Sequence, residues 1–100
     1  MENYAIKETK EFKKEFKKLP KHIRKRFKRQ FRKVLINPYG LGRPLKFEWF
    51  REIKTEGYRV YYLIFDEKIT VLFLGVSDKK NQQVVIDGMI SNLPQFKEAI

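Results

Sequence analysis

The sequence has 100 residues, of which 23 are Lys or Arg and 12 are Asp or Glu, for a formal net charge of +11 at pH 7. It has no cysteine and one histidine, which excludes disulfides and thiolate metal sites and gives no support to an imidazole metal site. An apolar content of 42%, including 15% aromatic residues, argues against disorder, and the length indicates a single domain over residues 1–100.

The net charge is concentrated in one segment. Residues 10–33 contain 13 basic side chains and two acids, so this segment carries the whole +11, while the remaining residues balance ten bases with ten acids. Like charges one helical turn apart, such as Lys13 and Lys17, each cost about 0.2–0.5 kcal/mol. A pattern that opposes helix stability favours a polyanionic partner, either nucleic acid or an acidic protein segment. The alternative interpretation is a solvated surface without a partner.

The first third of the chain is predicted to form a strand and two helices. Alternation of apolar and polar residues predicts a short strand within residues 4–9. Apolar residues at helical spacing then predict helices over 10–19 and 21–36, separated by Leu19-Pro20 because the residue before a proline avoids the α region. Together they predict a helical hairpin over residues 10–36.

From Leu45 the apolar period changes to two, which predicts a three-stranded antiparallel meander over residues 45–76 with tight turns at 55–57 and 66–68. The strands are apolar on both faces, so the apolar stripes of the hairpin are needed for the core, which argues against a membrane role. A C-terminal helix is predicted at about 82–93, ending near Pro94. This order predicts an α+β fold with the hairpin packed on one face of the sheet. The lack of a signal-peptide pattern leads us to expect a cytoplasmic protein.

Cations on the predicted sheet are the candidates for chemistry. Arg51, Lys54 and Arg59 flank the first turn, and Arg59 lies one residue into an otherwise apolar strand. A charge there is costly unless it faces a cleft or has a partner. The sequence leaves two interpretations open for Arg59, namely a cleft residue or a cross-strand pair with Glu52 or Glu56.

Six segments carry a family resemblance. They are residues 12–20 (FKKEFKKLP), 37–38 (NP), 42–46 (GRPLK), 51–53 (REI), 57–62 (GYRVYY) and 70–75 (TVLFLG). In order and spacing they resemble toxins of the RelE/ParE superfamily over roughly residues 5–83. The resemblance implies an N-terminal strand and helical hairpin packed on an antiparallel meander, with a C-terminal helix. It also implies a toxin of a toxin–antitoxin pair.

The RelE branch implies a specific chemistry. Its members cut messenger RNA on the ribosome without a metal or other cofactor, through attack of a 2′-hydroxyl on the adjacent phosphate. By the resemblance, Arg59 grips the scissile phosphate, Lys54 supplies charge or proton transfer, and Arg51 is a further candidate. The implied partners are an acidic antitoxin, the ribosome and mRNA, and the cations expected to face RNA are Lys13, Lys14, Lys17, Lys18, Lys21, Arg24, Lys25, Lys28, Arg29 and Arg32.

Two positions depart from the RelE pattern. Ser77 stands where the pattern has an arginine, and Gln83 falls near the position of its late tyrosine. Lys79 and Lys80 are the candidates to replace the missing cation. Two alternatives therefore remain beside the nuclease: a ParE-like inhibitor of DNA gyrase that cleaves nothing, and an RNA-binding member without catalysis.

Overall fold

The computed structural model describes residues 3–98 and 100, and places a five-stranded sheet between two helical layers. The strands are β1 (Ala5–Glu8), β2 (Arg43–Pro44), β3 (Phe50–Thr55), β4 (Tyr58–Phe65) and β5 (Thr70–Asp78), and the helices are α1 (Lys10–Lys17), α2 (Lys21–Ile36), α3 (Gln82–Ser91) and α4 (Leu93–Glu98). The predicted α+β class is confirmed, with the hairpin α1–α2 on one face of the sheet. No helix in this part of the chain has both the length and the apolar character needed to cross a membrane.

The sheet has the order β1-β5-β4-β3-β2. Strands β3, β4 and β5 form the predicted antiparallel meander, while β1 joins β5 in parallel, so the sheet is mixed. The register of β4 and β5 shifts between Tyr61, which pairs with Gly75, and Tyr62, which pairs with Phe73. The extra residue, Leu74, is a β-bulge, and it changes which face the following side chains of β5 occupy.

The hairpin packs through a cluster of phenylalanines. Phe12 and Phe27 are fully buried, and the ring centroid of Phe31 lies 4.3 Å from that of Phe73 on β5. The N-terminus of α1 is capped by Thr9, whose hydroxyl accepts a hydrogen bond of 3.0 Å from the Phe12 amide. Burial of these rings keeps α1 and α2 helical despite their like charges, because tertiary packing outweighs weak helix-surface repulsion.

The opposite face of the sheet is covered by α3 and α4. Ile86, Met89 and Leu93 join a second buried cluster on that face. Glycine at position 75 permits the contact, because a Cβ there would lie 2.9 Å from the Met89 methyl carbon. The predicted helix at about 82–93 is observed as α3, but the sequence did not predict the helix that follows it. That helix, α4, starts at Leu93, with Pro94 in its first turn, where a missing amide hydrogen has no cost.

The strand predicted from Leu45 begins only at Phe50. Residues 45–49 instead form a loop in which the rings of Phe47 and Trp49 stack at 4.5 Å, so both apolar residues point to one side. The alternation of these residues imitated a strand, but local ring stacking explains it. The chain just before β2 approaches the sheet closely at Gly42, which has a φ of +65° and no room for a Cβ against the backbone of Glu52.

Candidate anion-binding site

Arg59 is a buried guanidinium with unused donors. The first residues of β4 place it beside Lys54 of β3 and Ser77 of β5. Its side chain is 8% exposed, and neither Nε nor Nη1 has a hydrogen-bond partner. Buried charged groups are normally paired and hydrogen-bonded, so these free N–H groups indicate a place for an anion.

Arg59 lines a cleft of about 340 Å³ at this edge of the sheet. We refer to it as the Arg59 cleft; it is lined by Gly42, Arg43, Glu52, Lys54, Arg59 and Gln82. Three of these side chains are cations and one is a carboxylate, so the cleft carries a net positive charge. Among residues 3–98 and 100, no group of His, Asp or Glu side chains is arranged to hold a metal ion. The three cations of the cleft can stabilise a bound anion electrostatically.

Glu52 holds the centre of the cleft. Its side chain is 4% exposed, and it accepts hydrogen bonds from Arg43 Nε at 2.9 Å and from Gln82 Nε2 at 3.0 and 3.2 Å. Arg59 Nε lies 3.8 Å from Glu52 Oε1, which is within ion-pair range but too long for a hydrogen bond. Arg59 therefore forms an ion pair with Glu52 and also faces the cleft. The sequence had left these two arrangements open as alternatives.

Lys54 joins the cleft to the basic hairpin. It is exposed, lines the Arg59 cleft, and also lines a second depression of about 400 Å³ with Arg26, Arg29 and Lys33 of α2. The positive surface of α2 and the cations of the sheet are consequently continuous. Arg26 and Lys33 were not among the predicted binding residues, but the structure places both beside Lys54 in this depression.

The remaining predicted site residues lie outside the cleft. Arg51 faces the hairpin side of the sheet, where its guanidinium donates to the carbonyl oxygens of Leu41, Gly42 and Glu48 at 3.1–3.4 Å. It is 5% exposed and holds the loop before β3 in place. Lys79 and Lys80 are exposed in the turn after β5, and neither lines the cleft.

The two departures from the RelE pattern have different environments. Ser77 is buried beside Arg59 and forms a hydrogen bond of 2.7 Å with the Tyr61 hydroxyl. Burial raises the pKa of Tyr61, although the Ser77 hydrogen bond opposes the rise, so this phenol stays protonated at neutral pH. Gln83 is exposed and donates to Asp87 at 2.9 Å, while the preceding residue, Gln82, enters the cleft.

The cations of the hairpin are accessible. Of the ten predicted to face RNA, all but Arg24 are exposed, and these are Lys13, Lys14, Lys17, Lys18, Lys21, Lys25, Lys28, Arg29 and Arg32. Arg24 is half-buried, and its Nε has no hydrogen-bond partner. The hairpin therefore presents its charge to solvent while its phenylalanines face the sheet.

Sequence reasoning did not identify three residues of the cleft: Arg43, Glu52 as a cleft residue, and Gln82. Glu52 had a usable signal, because it lies two residues from Lys54 in a strand and therefore shares its face. Arg43 and Gln82 had no such signal in the sequence, since Arg43 lies in the two-residue strand β2 and Gln82 is the first residue of α3. Only the tertiary fold brings them to Glu52.

A known protein family matches most of the chain. The family described as ParE toxin of type II toxin-antitoxin system, parDE, matches residues 6–82. A comparison with curated proteins finds no match.

Several solved structures share the fold. A chain of the intact E. coli RelBE toxin–antitoxin complex is 27% identical, with a TM-score of 0.69, over 75% of this chain and 95% of that one. A chain of the Mycobacterium tuberculosis RelBE2 complex is 28% identical, with a TM-score of 0.67, over 78% and 93%. A mutant of E. coli RelE in complex with a peptide of the antitoxin RelBc is 25% identical, with a TM-score of 0.72, over 86% and 94%.

Proposed function

The chain belongs to the family of ParE toxins of type II toxin–antitoxin systems, in the RelE/ParE superfamily, and on this premise we propose that it is a ribosome-dependent, metal-independent mRNA endoribonuclease. The observation that carries the proposal is Arg59, a buried guanidinium with two unpaired N–H groups in a positively charged cleft. A guanidinium offers donors in a planar fork that matches a phosphate, and it remains charged at any physiological pH.

The proposed reaction is transfer within the RNA chain. The 2′-oxygen of one nucleotide attacks the adjacent phosphorus, the P–O5′ bond breaks, and a 2′,3′-cyclic phosphate forms. The 2′-hydroxyl proton passes to water, and Lys54, paired with Arg59 across β3 and β4, donates a proton to the leaving O5′. Arg59 stabilises the negative charge that grows on the phosphate oxygens.

The hairpin supports ribosome dependence. Its exposed cations form a surface that continues through Lys54 into the Arg59 cleft, so a protein bound to ribosomal RNA through α2 would present the cleft to nearby RNA. Phosphate contacts of this kind supply affinity without sequence preference, and binding through them weakens as salt rises.

An in vitro translation reaction with a defined mRNA tests the proposal. We expect wild-type protein to produce discrete mRNA ends, mapped by primer extension, only when ribosomes are present. Arg59→Ala should remove most of the cleavage, because the guanidinium that stabilises the phosphate charge is lost. The fold should be retained, since Glu52 keeps Arg43 and Gln82 as partners. Lys7→Ala is the matched control, since it removes an exposed cation from β1, which lies at the edge of the sheet opposite the cleft and outside the hairpin. Intact mRNA in the wild-type reaction would refute the nuclease.

A second candidate is inhibition of DNA gyrase without cleavage. The match to a family described as ParE toxins favours it, as does Ser77 where the RelE pattern has arginine. Purified gyrase separates the two candidates, because this function predicts loss of supercoiling activity and no effect on mRNA. Arg59→Ala should then retain inhibition.

An acidic antitoxin is the proposed partner. Structural neighbours were solved as toxin–antitoxin complexes, and the exposed cations of the hairpin suit an acidic chain that folds on binding. Co-expression with the product of an adjacent short acidic reading frame should give a complex that survives low salt and suppresses toxicity. Unchanged toxicity on co-expression would exclude that product as the antitoxin.

A further inference from the structure

The Arg59 cleft contains its own anion. The Glu52 carboxylate lies on the same strand face as Lys54 and is surrounded by Arg43, Arg59 and Gln82, with only 4% of its side chain exposed. The donors that would bind an incoming phosphate are thus partly engaged by this carboxylate. Arg43 gives it a short hydrogen bond, whereas Arg59 stays at 3.8 Å and keeps Nε and Nη1 unpaired.

We propose that Glu52 is a built-in counter-anion of the cleft, which competes with the substrate phosphodiester for Arg59 and Arg43 and thereby sets the affinity of the site. The proposal rests on the anion-binding role proposed above for Arg59, and it adds a residue that regulates that role.

The distances explain the competition. A phosphate oxygen that hydrogen-bonds to Arg59 Nε would lie about 3 Å from that nitrogen, and hence within about 7 Å of Glu52 Oε1. Two negative charges this close, in a partly desolvated cleft, repel each other strongly enough to weaken binding by about tenfold or more. A phosphodiester with one negative charge meets this repulsion once, while a doubly charged phosphomonoester meets it twice. Glu52 therefore also favours an internal phosphate of a nucleic acid over a free or terminal one.

The arrangement allows the carboxylate to give way. Arg43 has a side chain that is 64% exposed and comes from a two-residue strand, so it can follow Glu52 or turn to a phosphate. Gln82 is the first residue of α3 and holds both carboxylate oxygens. Repulsion by an entering phosphate should shift Glu52 relative to Gln82, and the side-chain amide of Gln82 reports that shift.

The test measures binding rather than cleavage, with the full-length protein labelled with ¹⁵N. The probe is the dinucleoside monophosphate TpT, which has one phosphodiester and no 2′-hydroxyl. Its dissociation constant is obtained from the NMR signal of Arg59 Nε–H, assigned by its loss in Arg59→Lys. We expect Glu52→Gln to bind TpT about tenfold more tightly than wild type, and to lose part of the preference for TpT over inorganic phosphate.

The matched control is Glu48→Gln. It changes the net charge equally, but Glu48 is 77% exposed and pairs with Arg51 on the other face of the sheet. We expect less than about a twofold change from it, because exposed charges at that distance are screened. Equal tightening in the two variants would overturn the proposal, as would unchanged or weaker binding by Glu52→Gln.

A second variant and a second NMR signal provide further tests of the proposal. If Glu52→Gln does not fold, Glu52→Met supplies an uncharged side chain of similar length that needs no hydrogen bonds. In wild type, saturating TpT should shift the side-chain amide signal of Gln82, and an Arg59 shift without it would also refute displacement of Glu52. If TpT does not shift the Arg59 signal at any concentration in any variant, Arg59 does not bind a phosphodiester. That result would refute the anion site and the basis of the nuclease proposal.

Discussion

Replacing Arg51 with alanine tests whether this arginine stabilises the fold, in contrast to Arg59, which lines the cleft. Sequence reasoning placed Arg51 with Arg59 and Lys54, but its guanidinium lies on the opposite face of the sheet. It donates to the carbonyl oxygen of Leu41 at 3.1 Å, of Glu48 at 3.2 Å and of Gly42 at 3.4 Å. We therefore expect Arg51→Ala to destabilise the protein.

The cost follows from the groups left without donors. The Tyr62 hydroxyl has one proton and donates it to the Pro38 oxygen at 2.8 Å, so it does not replace the guanidinium at the Leu41 oxygen, which lies 3.1 Å away. The oxygens of Leu41, Gly42 and Glu48 each lose the guanidinium, at about 1 kcal/mol apiece, the lower end of the range, because Gly42 and Glu48 are exposed to water. The ion pair with Glu48 adds little, because that carboxylate is 77% exposed. We expect a loss of about 3 kcal/mol, and a fall in Tm of about 12–24 °C for a domain of this size.

Urea unfolding followed by the fluorescence of Trp49, the single tryptophan, measures this loss. Arg26→Ala is the control and should cost less than about 1 kcal/mol, because its ion pair with Glu56 is about half exposed. A stability loss below about 1 kcal/mol for Arg51→Ala would refute the structural role. If Arg51→Ala were stable but had lost mRNA cleavage, Arg51 would have a catalytic role instead.

Two further predictions concern the core and the pH dependence of stability. Phe31→Ala should lower the free energy of unfolding by about 3–5 kcal/mol, since the ring is 8% exposed and packs against other phenylalanines, whereas Ile36→Ala, at a side chain 50% exposed, should cost about 1 kcal/mol or less in the same urea assay. Burial and a hydrogen bond to Asp66 raise the pKa of Tyr39 to about 12. Because the neutral phenol is favoured in the folded state, its contribution is complete below pH 10 and is lost as pH rises towards 12. The urea midpoint of Tyr39→Phe should therefore fall less over that range than the wild-type midpoint, and identical slopes would contradict the coupling.

The sequence predicted the hairpin and the meander because each has its own periodicity. The spacing of Phe12, Phe27 and Phe31 defined the buried stripe of the helices, and the structure buries all three. The short connection at Glu56-Gly57 also determines the pairing of Lys54 with Arg59, since a tight turn sets the register of its two strands.

The errors arose where contacts between distant segments decide the conformation. Residues 45–49 alternate like a strand but form a loop, because Phe47 stacks on Trp49 and Arg51 holds the loop carbonyls. Pro94 was taken only as the end of a helix, but it also lies in the first turn of α4, which begins at Leu93. Local pattern does not distinguish a proline that ends one helix from a proline that starts the next.

The sequence by itself determined the charge distribution, the α+β class and the isolated cation in an apolar strand, because charge, period and residue type are local properties. The tertiary structure alone decided which charges meet. The bulge at Leu74 turns Ser77 towards Arg59, and β2 and α3 bring Arg43 and Gln82 to Glu52. A buried ion site depends on distances of a few ångströms between segments far apart in the chain, and only the folded arrangement of the sheet, loop and helix sets those distances.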